Sequence, residues 1–268
     1  MPIFDIESDT VNEKLTQLWE TKTKDDEWWS SFVTSPLAIV VNYFVVDFKW
    51  LTPNKLTLIS FLTAIVSVLF IIAGGTQNFI IAAVLIHLSH IFDCMDGQMA
   101  RYRKTSSLSG GYYDKLTDQI QVTLWFGATG YAAYNQSHSV LPVFLAFIGV
   151  AFYSLRGYVK YVTLYTEMSQ DNYYVDILAK QLSTVKKQNT AGLKFGFSAN
   201  LKWFIAEQRK ILEFKEGVFI FMLSLALVLD VLTPMLWMFA VSQLYLGLMR
   251  GWQRGAQLKS NQKINVEK

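Results

Sequence analysis

The sequence predicts an all-α polytopic membrane protein, with six transmembrane helices preceded by an N-terminal interfacial amphipathic helix. Three observations predict it. Of 268 residues, 52% are hydrophobic, 15% aromatic and only 17% charged, and the mean hydropathy is +0.25; soluble domains are more polar than this. Apolar runs of roughly 20 residues, the length a bilayer core requires, recur along the chain. Three of the turns between them, Gly74–Asn78, Asn135–Ser139 and Asp230–Thr233, contain no Lys or Arg, whereas every other connection carries them. By the positive-inside rule those turns face away from the cytoplasm, which leaves both termini on the cytoplasmic side of an even number of spans.

The elements follow in order. Met1 to Ser35 is polar and acidic-rich and shows no cleavable-signal pattern. Within it, Asp5–Trp19 suits a short amphipathic helix, and Trp28, Trp29 and Phe32 suit interfacial anchors. Pro36–Trp50 is apolar but short, and Asn42, Asp47 and Lys49 interrupt it, which favours a helix in the headgroup region over a seventh span. Thr52 can cap the first span and Pro53 fits its first turn; the span runs from Lys55 to Ile72 and stops at Gly74-Gly75. The second span covers Phe79–Gln98, the third Gly110–Tyr134 and the fourth Val140–Lys160.

A polar insert, Thr166–Lys215, comes next, with helix-like pieces at Val175–Val185 and Leu201–Phe214 on either side of a link near Gly192. Lys186, Lys187, Lys194, Lys202, Arg209 and Lys210 make it basic, which suits anionic headgroups or, at Arg209 and Lys210, an acceptor phosphate. Gly217–Met249 is too long for one span, and Asp230, Thr233 and Pro234 divide it into two. The chain thus divides into an N-terminal cytoplasmic and interfacial region (1–51), a membrane domain (52–255) carrying the cytoplasmic insert 166–215, and a tail (256–268). A net charge of +3 gives no reason to expect nucleic acid. The single Cys94 excludes an intrachain disulfide and reads as a small core residue.

Chemistry concentrates between Asp93 and Asp118. Asp93 and Asp96 are three residues apart, Asp114 and Asp118 four apart, so each pair shares one helix face. Arg103, Lys104, Thr105, Ser106, Ser107 and Ser109 suit a short loop between two antiparallel helices. Four carboxylates at the ends of apolar helices are costly without cations and mark function. As hard oxygen donors they suit Mg²⁺ or Mn²⁺, and two such ions would offset four negative charges and clamp a diphosphate. Asp93, Asp96 and Asp114 are placed as metal ligands; Asp118, deepest along its helix, is also placed as the base that takes a proton from an acceptor hydroxyl. Gly97, Ala100 and Gly110 lack bulk and let the helices and a nucleotide approach, and Arg101 offers a planar fork for phosphate or a balance to the carboxylates. His87 and His90 precede Asp93 at the same step; His90 reads as its hydrogen-bonding neighbour and His87 as a packing residue, with a His-x-x-His-x-x-Asp ligand ladder as the alternative. Arg156 and Lys160 share a face of the fourth span, either snorkelling to headgroups or forming a basic pocket for an anionic acceptor.

The pattern Asp93-x-x-Asp96-Gly97-x-x-Ala100-Arg101, then eight residues, then Gly110-x-x-x-Asp114-x-x-x-Asp118 resembles the signature of the CDP-alcohol phosphotransferase family, with every position filled. Pro53, Asn54 and Thr57 also resemble a Pro-Asn-x-x-Thr element that opens the first span in that family. The resemblance implies in-line attack by an alcohol on a phosphorus of a CDP-linked alcohol, with release of CMP. It implies metal and nucleotide binding by Asp93, Asp96 and Asp114, base catalysis by Asp118, an Asn54 amide facing the nucleotide, and a homodimer. CDP-diacylglycerol is the donor such members use most often, in phospholipid biosynthesis. A CDP-linked headgroup given to diacylglycerol, or a soluble inositol-phosphate-type acceptor, is the alternative pairing. Two other classes use intramembrane carboxylates. In an intramembrane prenyltransferase the acidic clusters stand far apart in sequence, and an ion-coupled transporter breaks its helices near the midplane.

Overall fold

The computed structural model describes residues 13–22, 27–170, 173, 174, 176, 180 and 196–266. Among these, the regular elements are helical. A short helix, α1 (residues 13–20), leads through a π-helical turn (Ser30–Thr34) into α2 (Ser35–Val45). Then come α3 (Pro53–Ala73), α4 (Thr76–Tyr102), α5 (Leu108–Ser137), α6 (Leu141–Gln170), α7 (Gly196–Gln208), α8 (Glu216–Val228) and α9 (Leu232–Val266).

Local chemistry sets several of the helix ends. Thr52 is extended and its side chain accepts the Lys55 N–H, with Pro53 in the first turn of α3. Gly74 and Gly75 both take positive φ, 70° and 86°, which stops α3 as their sequence position suggests. Ser107 caps α5 by accepting the Gly110 N–H at 3.0 Å. Asp230 adopts a left-handed φ of 56° in the break between α8 and α9, whereas Thr233 and Pro234 lie in the first turn of α9 rather than in the break. The helices overrun several expected ends: α4 continues to Tyr102 and α6 to Gln170, because backbone bonding persists after the apolar pattern has ended.

Among the described residues, four helical segments are long and apolar enough to cross a membrane: Pro53–Ala73, Thr76–Tyr102, Leu141–Ser169 and Leu232–Lys259. The third expected span, α5, has the length at 30 residues but carries Asp114, Lys115 and Asp118 near its start. The fifth, α8, is apolar but only 13 residues long. Helix α3 packs against both α4 and α5, α4 lies against α8, and α5, α6 and α9 pack on one another. Their shared core centres on Phe126 and Phe239, stacked with centroids 3.6 Å apart, with Trp125 and Phe219 around them. Polar bonds fix the register: Ser60 Oγ donates to Ser89 O at 2.9 Å, Ser89 Oγ returns to Ser60 O at 2.9 Å, and Trp125 Nε1 donates to Ser67 Oγ at 2.7 Å. In an apolar surrounding, paired polar groups of this kind specify one arrangement of helices.

The N-terminal segments form a second, smaller core. Leu18, Ala38, Ile39, Leu56, Met95 and Met99 are buried together, and Asn42 Nδ2 donates to Met95 O at 3.0 Å. Of the expected Asp5–Trp19 helix, residues 13–19 are helical, and residues 5–12 lie outside the described residues. Trp28, Trp29 and Phe32, expected at the interface, pack on protein instead. Trp28 meets Phe204 and Phe221 edge-on, Trp29 meets His87 and Phe221, and Phe32 meets Trp203. Much of the insert, including Gly192, Lys186, Lys187, Lys194 and most of Val175–Val185, also lies outside the described residues. The expected Leu201–Phe214 helix corresponds to α7 and a short 3₁₀ turn, Ile211–Glu213. There Lys210 donates to Glu207 at 2.5 Å, which holds its ammonium above the usual lysine range.

Candidate active site

One end of the bundle carries the start of α3, the end of α4 and the starts of α5 and α8. These ends enclose a cavity of about 480 Å³. Its lining includes Asn54, Thr57, Asp93, Asp96, Asp114 and Asp118, together with Gly97, Ala100, Arg101 and Gly110. Three helix N-termini, of α3, α5 and α8, therefore face one space, and their dipoles favour an anion there.

The carboxylates are not equivalent. Asp93, Asp114 and Asp118 each place an oxygen within 4.8 Å of the other two, a donor set suited to a hard divalent cation. Asp96 stands apart from that group; it is buried and accepts a hydrogen bond from the Thr57 hydroxyl, so Thr57 orients a carboxylate as well as lining the cavity. Asp93 Oδ1 is buried without a hydrogen-bond partner. Lys115 Nζ lies 2.8 Å from Asp114 and 3.5 Å from Asp118, an ammonium in the position where these two oxygens would share a metal ion. Removing it by Lys115→Gln is expected to lower the Mg²⁺ concentration for half-maximal turnover by about two- to fivefold, the strength of one partly exposed ion pair; a Mg²⁺ titration of initial rates checks this.

Small residues serve close approach here. A Cβ on Gly110 would stand 3.0 Å from Ser107 Oγ and 3.3 Å from Asn54 Oδ1, so the Asn54 amide meets the first turn of α5 across the cavity. A Cβ on Gly97 would stand nearest the Arg101 guanidinium, at 3.1 Å. Arg101 Nε donates to Thr21 O at 2.7 Å, which ties the segment after α1 to the cavity wall. Arg103, expected in a polar loop, is a strut: its guanidinium donates to the carbonyls of Val46, Phe48 and Leu51 and pins the α2–α3 connection.

The structure does not bring Arg156 and Lys160 to this cavity. Arg156 sits on α6, donating to Glu213 O at 2.7 Å and to the Gln243 side-chain oxygen on α9; Lys160 is exposed. The basic side chains that do line the cavity are Lys22, Arg101, Lys115 and Lys215. Sequence reasoning also passed over Glu216. It opens α8 and places Oε1 3.6 Å from His90 Nδ1. A lone acidic residue at the start of an apolar helix is a common dipole partner, so nothing local distinguished it. His90 bonds Ser30 Oγ through Nε2 at 2.9 Å, and Cys94 lies beside it at 4.0 Å. His87 bonds Ala83 O and packs on Trp29, which removes it from any ligand ladder.

Comparison with known proteins fits this geometry. The chain is 32% identical over 98 residues to a bifunctional IPC transferase and DIPP synthase of Thermococcus kodakarensis, covering 37% of this chain and 22% of that protein. It is 31% identical over 116 residues to an uncharacterized protein of Aquifex aeolicus, covering 40% of this chain and 55% of that protein. The chain thus spans about a fifth and about half the lengths of these relatives. The pattern of the CDP-alcohol phosphatidyltransferases matches residues 50–249, a stretch that runs from the residues before α3 well into α9 and includes Asp93, Asp96, Asp114, Asp118 and Glu216 of the cavity. With most of its length so matched, the chain belongs to the CDP-alcohol phosphatidyltransferase family.

Proposed function

We propose that the protein transfers a substituted phosphate from a CDP-alcohol, with CDP-diacylglycerol the leading donor, to an acceptor alcohol, releasing CMP in phospholipid biosynthesis. The observation that carries this is the convergence of Asp93, Asp114 and Asp118 oxygens within 4.8 Å inside a cavity large enough for a nucleotide head. Family membership and similarity to the Thermococcus IPC transferase and DIPP synthase support it.

Each residue takes a role from its place. Asp93, Asp114 and Asp118, with Asp96 adjoining, would hold Mg²⁺ or Mn²⁺, which when bound offsets diphosphate charge and eases departure of CMP. The N-termini of α3 and α5 face the phosphates, and Asn54 stands where a nucleotide would meet α3. Gly97, Ala100 and Gly110 keep the walls low, and Arg101 is within the lining for a phosphate oxygen. Asp118 takes the acceptor hydroxyl proton as that oxygen bonds to phosphorus and the P–O bond to CMP breaks. An anionic acceptor group would meet Lys22 or Lys215 in the lining rather than Arg156 and Lys160.

A lipid-linked donor is favoured by what lies beside the acids. Leu108, Tyr112, Tyr113 and Leu116 are exposed on the same first turns of α5 that carry Asp114 and Asp118. An apolar stripe there would let acyl chains remain in lipid while the diphosphate enters the cavity. Six spans, α3 to α6 with α8 and α9, are the topology to test, supported by the four segments of spanning length and composition, and the distribution of Lys and Arg supports a cytoplasmic active site and termini. A homodimer is the assembly to test.

The experiment is a screen of radiolabelled CDP-alcohols against acceptor alcohols with purified protein, Asp118→Asn serving as control. CMP and a phosphodiester product in one donor–acceptor pair support the reading. Transfer from a prenyl diphosphate, or ion flux without CMP, would replace it.

A further inference from the structure

We propose that His90, Asp93 and Glu216 form a further divalent-cation site, selective for a first-row transition metal such as Mn²⁺, beside the carboxylates assigned to the diphosphate. It rests on the proposed function only in sharing Asp93 with that group.

Each residue contributes one donor atom, and the three atoms lie within 4.8 Å of one another. Donors that share one ion at bonds of about 2.1 Å lie about 3–4 Å apart, so little movement completes the set. His90 Nδ1 and Glu216 Oε1 are already 3.6 Å apart. Independent of the acidic cluster, the His90 side chain is only 4% exposed, and its Nδ1 has no hydrogen-bond partner although it points into the group. Asp93 Oδ1 is likewise buried without one.

The surroundings prepare His90 as a ligand. Its Nε2 bonds Ser30 Oγ at 2.9 Å, the outer hydrogen bond that fixes ring orientation in metal-binding histidines and leaves the other nitrogen for the metal. Ser30 is itself held, its backbone N–H donating to Glu27 Oε1 at 3.2 Å. Glu216 is set by the first turn of α8, and Gly217 permits the close approach of Glu27 and Ser30 to that turn. An imidazole nitrogen among carboxylates shifts preference from Mg²⁺ toward transition metals. The diphosphate group, Asp93, Asp114 and Asp118, contains no nitrogen donor, so the two sites are spectroscopically separable.

The test loads the purified full-length protein, in lipid nanodiscs, with Mn²⁺ and reads directly bound ¹⁴N by pulsed electron paramagnetic resonance. The wild type is expected to show nitrogen coupling, and His90→Gln to lose it. Glu216→Gln is expected to keep the fold and raise the Mn²⁺ concentration for half of that signal by about tenfold or more. Asp114→Asn, which removes a diphosphate-site ligand, keeps the nitrogen signal. Absence of nitrogen coupling in Mn²⁺-saturated wild type, or its persistence in His90→Gln, overturns the site and leaves His90 and Glu216 as an ion pair. If His90→Gln does not fold, an unchanged signal in Glu216→Gln overturns it instead. Nitrogen coupling without CMP release from any CDP-alcohol would overturn the proposed function alone, and CMP release without nitrogen coupling would overturn this site alone.

Discussion

Asp118→Asn is expected to lower CMP release by about 10²- to 10⁴-fold, the contribution of a positioned general base. Asparagine keeps the size of the side chain and removes both the negative charge and the ability to take a proton. Because Asp118 also lies within 4.8 Å of Asp93 and Asp114 in the donor set, the substitution is expected to weaken metal binding as well. The two effects separate in a Mg²⁺ titration: a lost base lowers the rate at saturating metal, and a lost ligand shifts the midpoint. Asp93→Asn should act mainly through the midpoint and, at saturation, recover more activity than Asp118→Asn. Folding should survive both, since removing one of several clustered negative charges relieves repulsion among the rest.

Gly217→Ala is expected to destabilise the protein by about 1–3 kcal/mol and to reduce turnover, although position 217 donates nothing to the chemistry. A Cβ there would stand 2.0 Å from Glu27 Oε1 and 2.4 Å from Ser30 Oγ. Both neighbours are buried, Glu27 5% and Ser30 4% exposed, and both are already held, Glu27 Oε1 by the Ser30 N–H and Ser30 Oγ by His90. The cost therefore falls on the contact between α8 and the segment before α2. Displacing Ser30 would also break its bond to His90, and displacing Glu27 would change the cavity lining. Gly127→Ala is the matched control, since a Cβ at that helical position meets nothing within 4 Å and alanine is the better helix former. Thermal unfolding in detergent, with CMP release on the same samples, distinguishes the two variants; equal melting temperatures would refute the packing argument.

What could be read from the sequence depended on how far apart the cooperating residues lie. The carboxylates were legible because their spacing alone places each pair on one face of two helices joined by a short loop. The Thr52 cap and the Gly74-Gly75 stop were legible because capping and positive φ are local chemistry. Glu216 and Ser30 were not, because they meet His90 only after α8 and the chain before α2 fold against α4. Trp28 and Trp29 misled because composition does not tell an aromatic ring that faces lipid from one that packs on Phe221. Arg156 was placed at a suitable depth, but its direction depended on Glu213 and Gln243, elements remote in sequence. Helix α5 shows a limit of hydropathy itself: Gln119, Gln121, Asn135 and Gln136, with its Thr, Gly and Tyr residues, keep even its uncharged stretch below the hydropathy of a span.

The most direct test is reversible chelation. Purified protein given its best CDP-alcohol and acceptor should lose CMP release to background when divalent metal is removed, and regain it on adding Mg²⁺ or Mn²⁺. Turnover that continues undiminished through chelation would contradict the assignment of Asp93, Asp114 and Asp118 to metal.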